Sequence, residues 1–178
     1  MKKNSLLIIV FICMAISLKS QSSTKQDIKL GLVFQKTQSL YLENGIGADY
    51  SSDFLLNKRI HLKASYLSSR FGSALGTNAI KQDNIIVGAD LRFRQNKDLQ
   101  ILAGINSGVL LVDYENSIFD VLPKSTMLLS IETGLVYNFK FPLSISLTAG
   151  YNLKSGNGID IPGTLFPVFY KFGVFYKL

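Results

Sequence analysis

The sequence predicts an all-β chain, an eight-stranded antiparallel up-and-down transmembrane β-barrel. Three observations carry that expectation. Apolar residues alternate with a period of two in segments of about ten residues, the rhythm of a strand with one apolar face. No charged residue falls on any of the apolar faces. Past the N-terminal segment, no apolar run reaches the ~18 residues that mark a spanning helix. The 178 residues are enough for one domain.

Residues 1–22 read as a signal peptide. Lys2 and Lys3 form its charged start and Leu6–Leu18 its apolar stretch, with cleavage after Ser20 or Ser22. The stretch falls short of the roughly 20 residues a membrane anchor needs. Cys13 raises a lipoprotein alternative, which the bulky Ile12 before it disfavours. Cys13 is the single cysteine, so a mature chain has no disulfide and no Cys-ligated metal. The barrel domain is then 23–178.

The strands follow in order. Asp27–Gln35 carries Ile28, Leu30, Leu32 and Phe34 on one face. Leu40–Tyr50 carries Leu42, Ile46 and Ala48, and Arg59–Leu67 carries Ile60, Leu62, Ala64 and Tyr66. Asn84–Gln95 presents Ile85, Val87, Leu91 and Phe93; Leu99–Val109 presents Ile101, Ile105 and Val109. Thr126–Phe139 presents Met127, Leu129, Ile131, Leu135 and Tyr137. Leu143–Lys154 presents Ile145, Leu147, Tyr151 and Leu153. Phe166–Leu178 presents Val168, Tyr170, Phe172, Val174, Tyr176 and Leu178. Asn44, Ser107 and Thr133 are the polar intruders on these faces. An even number of strands can close on itself and leave no unpaired edge.

Alternation alone does not say which face points inward. A soluble ligand-binding barrel puts the apolar face inside, a membrane barrel outside. Four features favour lipid. Glycines 31, 45, 47, 88, 104, 108, 134, 150 and 173 share the polar face, as a crowded lumen needs. Aromatic residues gather toward the strand ends, as interfacial girdles do. Asn96–Asp98 and Lys140–Pro142 are tight turns, whereas Ser68–Asp83, Leu110–Ser125 and Ser155–Leu165 are long and polar. The last strand runs to the final residue. Two connections fit poorly: Lys36–Ser39 is short for an outer loop, and Ser51–Lys58 is long for an inner turn, with an apolar Phe54-Leu55-Leu56 run.

The C-terminal alternation Tyr170, Phe172, Val174, Tyr176 and Leu178 is similar to the signal that barrel-assembly machinery reads on outer-membrane proteins, with Leu178 in place of the usual Phe. The whole mature chain resembles the small eight-stranded outer-membrane barrels of the OmpA-domain and OmpX type. The stretches Gly134–Phe139 and Phe166–Leu178 look most like the small barrels of Bacteroidota. The resemblance implies a bacterial outer-membrane location, contact with its lipid, and assembly by that machinery. It rests on pattern, not on a motif, so it implies place better than role.

The polar face holds the remaining candidates: Lys29, Glu43, Asp49, Arg59, His61, Lys63, Asp90, Arg92, Arg94, Glu132, Lys154, Lys171 and Lys177. Of these, Lys29, Glu43, Asp49, Lys63, Asp90, Arg92, Arg94 and Glu132 are expected to form an ion-pair network filling a closed lumen. Simple hairpin register sets Lys29 beside Asp49 and Lys63 beside Asp90. Glu43 and Glu132 then need partners across the lumen, and Arg92 or Arg94 can supply bidentate ones. The competing arrangement leaves these charges in wet barrel mouths, where a pair contributes only about 0–1 kcal/mol.

The sequence offers little for catalysis. Lipid A deacylases and palmitoyltransferases on such barrels need a His with a Ser and a carboxylate. His61 is the single histidine, near the expected periplasmic end, and Ser65 on its face lies over ~10 Å away by strand rise. It reads as a lumen histidine held among charges. Glu43, Asp49, Asp90 and Glu132 read as ion-pair members, not as a catalytic or metal set. Asp113, Glu115 and Asp120 match no calcium-loop spacing. Gly156-Asn157-Gly158 is a turn signal with no helix after it to hold phosphate. No cofactor is expected.

Nor does charge point to nucleic acid. Removing Lys2, Lys3 and Lys19 from 19 basic residues leaves 16 against 12 acidic ones, a net charge of +4 with no basic run. The reading is therefore a non-enzymatic, monomeric barrel with a closed polar lumen and outward loops, structural or interacting in role. An accessory barrel of secretion or envelope assembly is the alternative, with a lipid A-modifying enzyme and a soluble ligand-binding barrel further behind.

Overall fold

The computed structural model describes residues 26–37, 41–71, 80–94, 97–114, 124–154 and 167–178. Eight antiparallel strands close in chain order: β1 (Gln26–Thr37), β2 (Tyr41–Ser52), β3 (Ile60–Phe71), β4 (Ile80–Phe93), β5 (Leu99–Tyr114), β6 (Ser125–Asn138), β7 (Leu143–Lys154) and β8 (Val168–Lys177). The seam is β1 against β8, from Lys29 opposite Lys177 to Thr37 opposite Phe169. Closure pairs the ladder groups of the first and last strands, which no open sheet of this size could do in lipid. The expected leader, Glu115, Asp120, the 156–158 turn and Phe166 lie outside the described residues.

The pleat decides which residues meet lipid. Residues of one parity stand out from the wall: Ile46 and Ile105 are each 63% exposed and Leu147 58%. Residues of the other parity point in, and Glu43 and Asp90 are 1% exposed. This inside-out arrangement excludes the soluble barrel, whose apolar face would line the interior. Of the polar intruders, Thr133 turns its hydroxyl back to donate to the Leu102 carbonyl, at 3.0 Å. Its hydrogen bond is thus met without water.

Aromatic residues occupy both ends of the wall. Phe93, Tyr137, Phe141 and Tyr176 are exposed toward the short turns, with the Phe139 ring edge-on to Tyr137 at 4.8 Å. Tyr66, Tyr151 and Tyr170 are exposed toward the other end, and Phe34 stacks on Phe172 across the seam at 6.4 Å.

Several strands run past the lengths alternation indicates. β3 continues to Phe71, β4 begins at Ile80 and β5 continues to Tyr114. On these extensions Lys81, Asp83 and Asp113 take the outward parity that is apolar lower down, and Lys81 pairs with Asp83 at 3.3 Å. The change from apolar to charged marks where the wall rises out of hydrocarbon. A period-two search for apolar residues ends there, although the hydrogen-bonded ladder does not.

The connection after β2 is a compact turn, not a loop. Lys58 N–H donates back to the Ser52 carbonyl at 3.2 Å and Ile60 N–H to that of Leu55 at 3.2 Å. Leu56, Asn57 and Lys58 lie at φ of 48°, 55° and 63°. Three successive non-glycine residues in the left-handed region are unusual, because Cβ crowds the carbonyl there. The turn is held from below by Lys58, whose ammonium bonds Asp27 at 2.7 Å.

The face assignment has a direct test. Leu147→Arg sets a charge against lipid near mid-strand and should cost about 2–4 kcal/mol. Gln100→Glu sets a charge on the inward parity, in a mouth lined by lysines, and should change stability little. Denaturant titration in lipid vesicles measures both; equal losses, or the reverse order, would show the faces inverted.

Candidate functional site: the charged lumen

Within the closed wall, each inward side chain has neighbours on both flanking strands, and register decides which. Glu132 on β6 lies opposite Gly104 on β5 and Gly150 on β7. Gly104 is in turn opposite Asp90 on β4. A Cβ at Gly104 would strike the Asp90 carboxylate, and one at Gly150 the Phe169 ring. The absent side chains leave a space between the Asp90 and Glu132 carboxylates. Lys63 reaches into it from β3, bonds Glu132, and lies 2.7 Å from Asp90. Lys171 from β8 donates to the second Glu132 oxygen at 2.9 Å, with the Phe169 ring centroid 5.3 Å from its ammonium. Asp90 is held by its ion pair with Lys63.

A second cluster lies nearer the short turns. Asp49 bonds the Arg92 guanidinium through one oxygen and meets His61 Nδ1 through the other, at 2.7 Å. A carboxylate only accepts, so His61 carries its proton on Nδ1 and is fixed in one orientation. A third cluster lies toward the long-loop end. There Glu43 accepts from the side-chain amides of Gln35 at 2.6 Å and of Gln82 and Asn84 at 2.8 Å each.

These clusters differ from the sequence expectation in four respects. Lys29 is opposite Asp49 in register but sends its ammonium across the mouth, to Asn138 Oδ1 at 2.9 Å and Ser144 Oγ at 3.3 Å. Lys63 is opposite Asp49 and Gly88, so it reaches Asp90 diagonally. Glu132 takes two lysines, not an arginine, because Arg92 is engaged by Asp49. Glu43 bonds amides, since Gln82 and Asn84 on β4 face it across the lumen.

Arg94 does not reach the lumen. β4 ends at Phe93, and Arg94 sits exposed in the following turn at φ 62°. Arg59 is likewise exposed, contributing its carbonyl to the Arg92 N–H at 2.7 Å.

Sequence reasoning did not anticipate Lys171 as a partner of Glu132, nor the apolar inward residues. Leu110, Val112 and Leu128 form a buried cluster inside the upper barrel, and Leu67, Leu102, Val136 and Phe169 are also buried. β5 is apolar on both faces through Leu110-Leu111-Val112, so alternation carries no signal there. Between these layers the remaining spaces are small, about 40 Å³ at mid-lumen and about 10 Å³ above it. Among the described residues no group of three or more His, Cys, Asp and Glu side chains could hold a metal ion.

A closed eight-stranded wall, apolar outside and ion-paired within, defines the small outer-membrane β-barrels, and this chain is of that class. No family model matches the sequence, and no curated protein matches it either. Solved structures do match. The N-terminal β-barrel domain of Pseudomonas aeruginosa OprF superposes with a TM-score of 0.62 at 12% identity, covering 88% of this chain and 100% of that one. Neisserial surface protein A, NspA, gives 0.57 at 14% identity over 88% and 98% of the two chains. Outer membrane protein H, OprH, of P. aeruginosa gives 0.56 at 14% identity over 85% and 99%. At such identities the likeness is one of fold.

Glu132 is the test of the network. Glu132→Ala leaves Lys63 and Lys171 buried without their shared carboxylate and should destabilise by roughly 3–5 kcal/mol. Lys36→Ala, an exposed outer position, should change almost nothing. Urea unfolding of both variants in vesicles checks this, and a neutral Glu132→Ala would mean that the lumen is wet.

Proposed function

We propose that the protein is a non-enzymatic outer-membrane barrel, made from a precursor whose residues 1–22 are removed. It stands in lipid as a monomer and presents its long connections outward in a structural or interaction role. One observation carries this reading: the lumen is filled by paired charges and apolar layers, with about 40 Å³ left at mid-depth. That is room for a few water molecules, not for a conduction path. What varies between such barrels is then what their ends present.

A lipid A-modifying role has little support. His61 lines the short-turn mouth, and its Nδ1 is committed to Asp49. Ser65 is opposite Gly47 and Ile86, well up the strand from it. With short turns on the periplasmic side, His61 stands at the end away from the leaflet that holds lipid A.

The C-terminal residues carry the biogenesis part of the proposal. Tyr170, Phe172, Tyr176 and Leu178 are all exposed on the lipid side of β8, the strand that closes the barrel. They therefore offer assembly machinery an apolar row while adding little to the lumen.

Two measurements test the proposal. The purified protein in planar bilayers should give no steady single-channel current. Deleting Tyr176–Leu178 should reduce surface assembly in cells far more than detergent refolding, read by heat-modifiable gel mobility. Steady currents would remove the closed-lumen reading, and normal assembly of the shortened chain would remove the recognition role.

A further inference from the structure

Charge is balanced deep in the lumen but not at its short-turn mouth. At mid-depth Lys63 and Lys171 meet Asp90 and Glu132, two cations against two carboxylates. The mouth is a vestibule of about 530 Å³ lined by Lys29, Lys58, Arg92, Lys97 and Lys177, against the carboxylates Asp27 and Asp98. Asp49, behind Arg92, offsets a third cation, and Asp53, 3.8 Å from Lys58, a fourth. Among the described residues one positive charge of this lining remains in excess.

The donors there are already oriented. Asp27 is shared by two ammonium groups, Lys58 at 2.7 Å and Lys177 at 2.6 Å, and Lys58 has a second carboxylate in Asp53 at 3.8 Å. Lys29 stands opposite Lys177 across the seam, a like-charge neighbour, and its ammonium rests on neutral acceptors, Asn138 and Ser144. Among the described residues no carboxylate pairs with Lys29 or Lys97. Arg92 forms the floor of the vestibule and the roof of the mid-lumen space. It is 4% exposed, and its Nε–H has no hydrogen-bond partner.

We propose that this vestibule binds a soluble phosphomonoester, a small organic dianion carrying one phosphate group. Its negative oxygens meet Lys29 and Lys97, the lining ammonium groups with which no carboxylate of the described residues pairs. Ammonium groups that converge without a fixed plane suit phosphate. One side of the vestibule is apolar, formed by Phe139, Phe141 and Pro142, the two rings stacked at 5.0 Å. That side receives the organic part of the ligand. The volume lies within the range of small-molecule sites, about 300–1,000 Å³. By the orientation of short turns, the site opens to the periplasm and binds without crossing the closed lumen.

The experiment uses the folded full-length mature barrel in a phosphate-free sugar detergent, so that no lipid headgroup competes. Glycerol 3-phosphate is titrated into ¹⁵N-labelled protein at constant ionic strength, with glycerol and sodium chloride as controls. The expected result is saturable shifts confined to the mouth, absent with either control. Lys29→Gln and Lys97→Gln should each weaken binding by about tenfold, the loss of one charge-assisted contact. Lys81→Gln, at the opposite end, should leave it within about twofold. Should Lys29→Gln fail to fold, the exposed turn residue Lys97 decides alone. Shifts that do not saturate, that sodium chloride reproduces, or that Lys97→Gln leaves unchanged would overturn the proposal.

Discussion

Closure of the wall is the constraint on which everything else in this protein depends. Once β1 pairs with β8, the inward residues are confined to a narrow cylinder, and neither strand is left as an open edge in lipid. Lipid outside then forbids charge on one parity, and the cylinder inside must dispose of all the charge on the other. The buried carboxylates Glu43, Asp49, Asp90 and Glu132 are the groups that would be ruinous there if left alone. Each is answered differently: by amides, by Arg92 with His61, by Lys63, and by two lysines.

Those answers depend on space as much as on charge. Glu132 between Gly104 and Gly150 shows how the wall makes room. A glycine flanking each side of a long carboxylate lets a lysine from a distant strand enter at its level. The apolar inward residues serve the same end. Leu110, Val112 and Leu128 form a buried apolar cluster in the upper barrel.

The two ends of the cylinder are chemically different. Toward the long connections, the outer wall becomes charged at Lys81 and Asp83 and rises clear of hydrocarbon. Toward the short turns, the lumen opens into a vestibule in which lysines outnumber acids. A closely filled middle separates the two.

The sequence by itself determined the class of fold, the number of strands and which parity faces lipid. These follow from a period of two that is local, repeated, and uninterrupted by charge. It also identified Asp49, His61, Lys63, Asp90, Arg92 and Glu132 as inward residues, because parity alone assigns a side. Only the tertiary structure decided who meets whom. Contacts across a lumen join strands distant in the chain, such as Lys171 of β8 with Glu132 of β6, and no local pattern records them. The same holds for the ends of strands. Arg94 continues the alternation of β4 on paper, yet the backbone turns left-handed there and carries it out of the barrel. Alternation reports the environment of a face, while hydrogen bonding and closure report where the strand stops, and the two part company wherever the wall leaves the membrane.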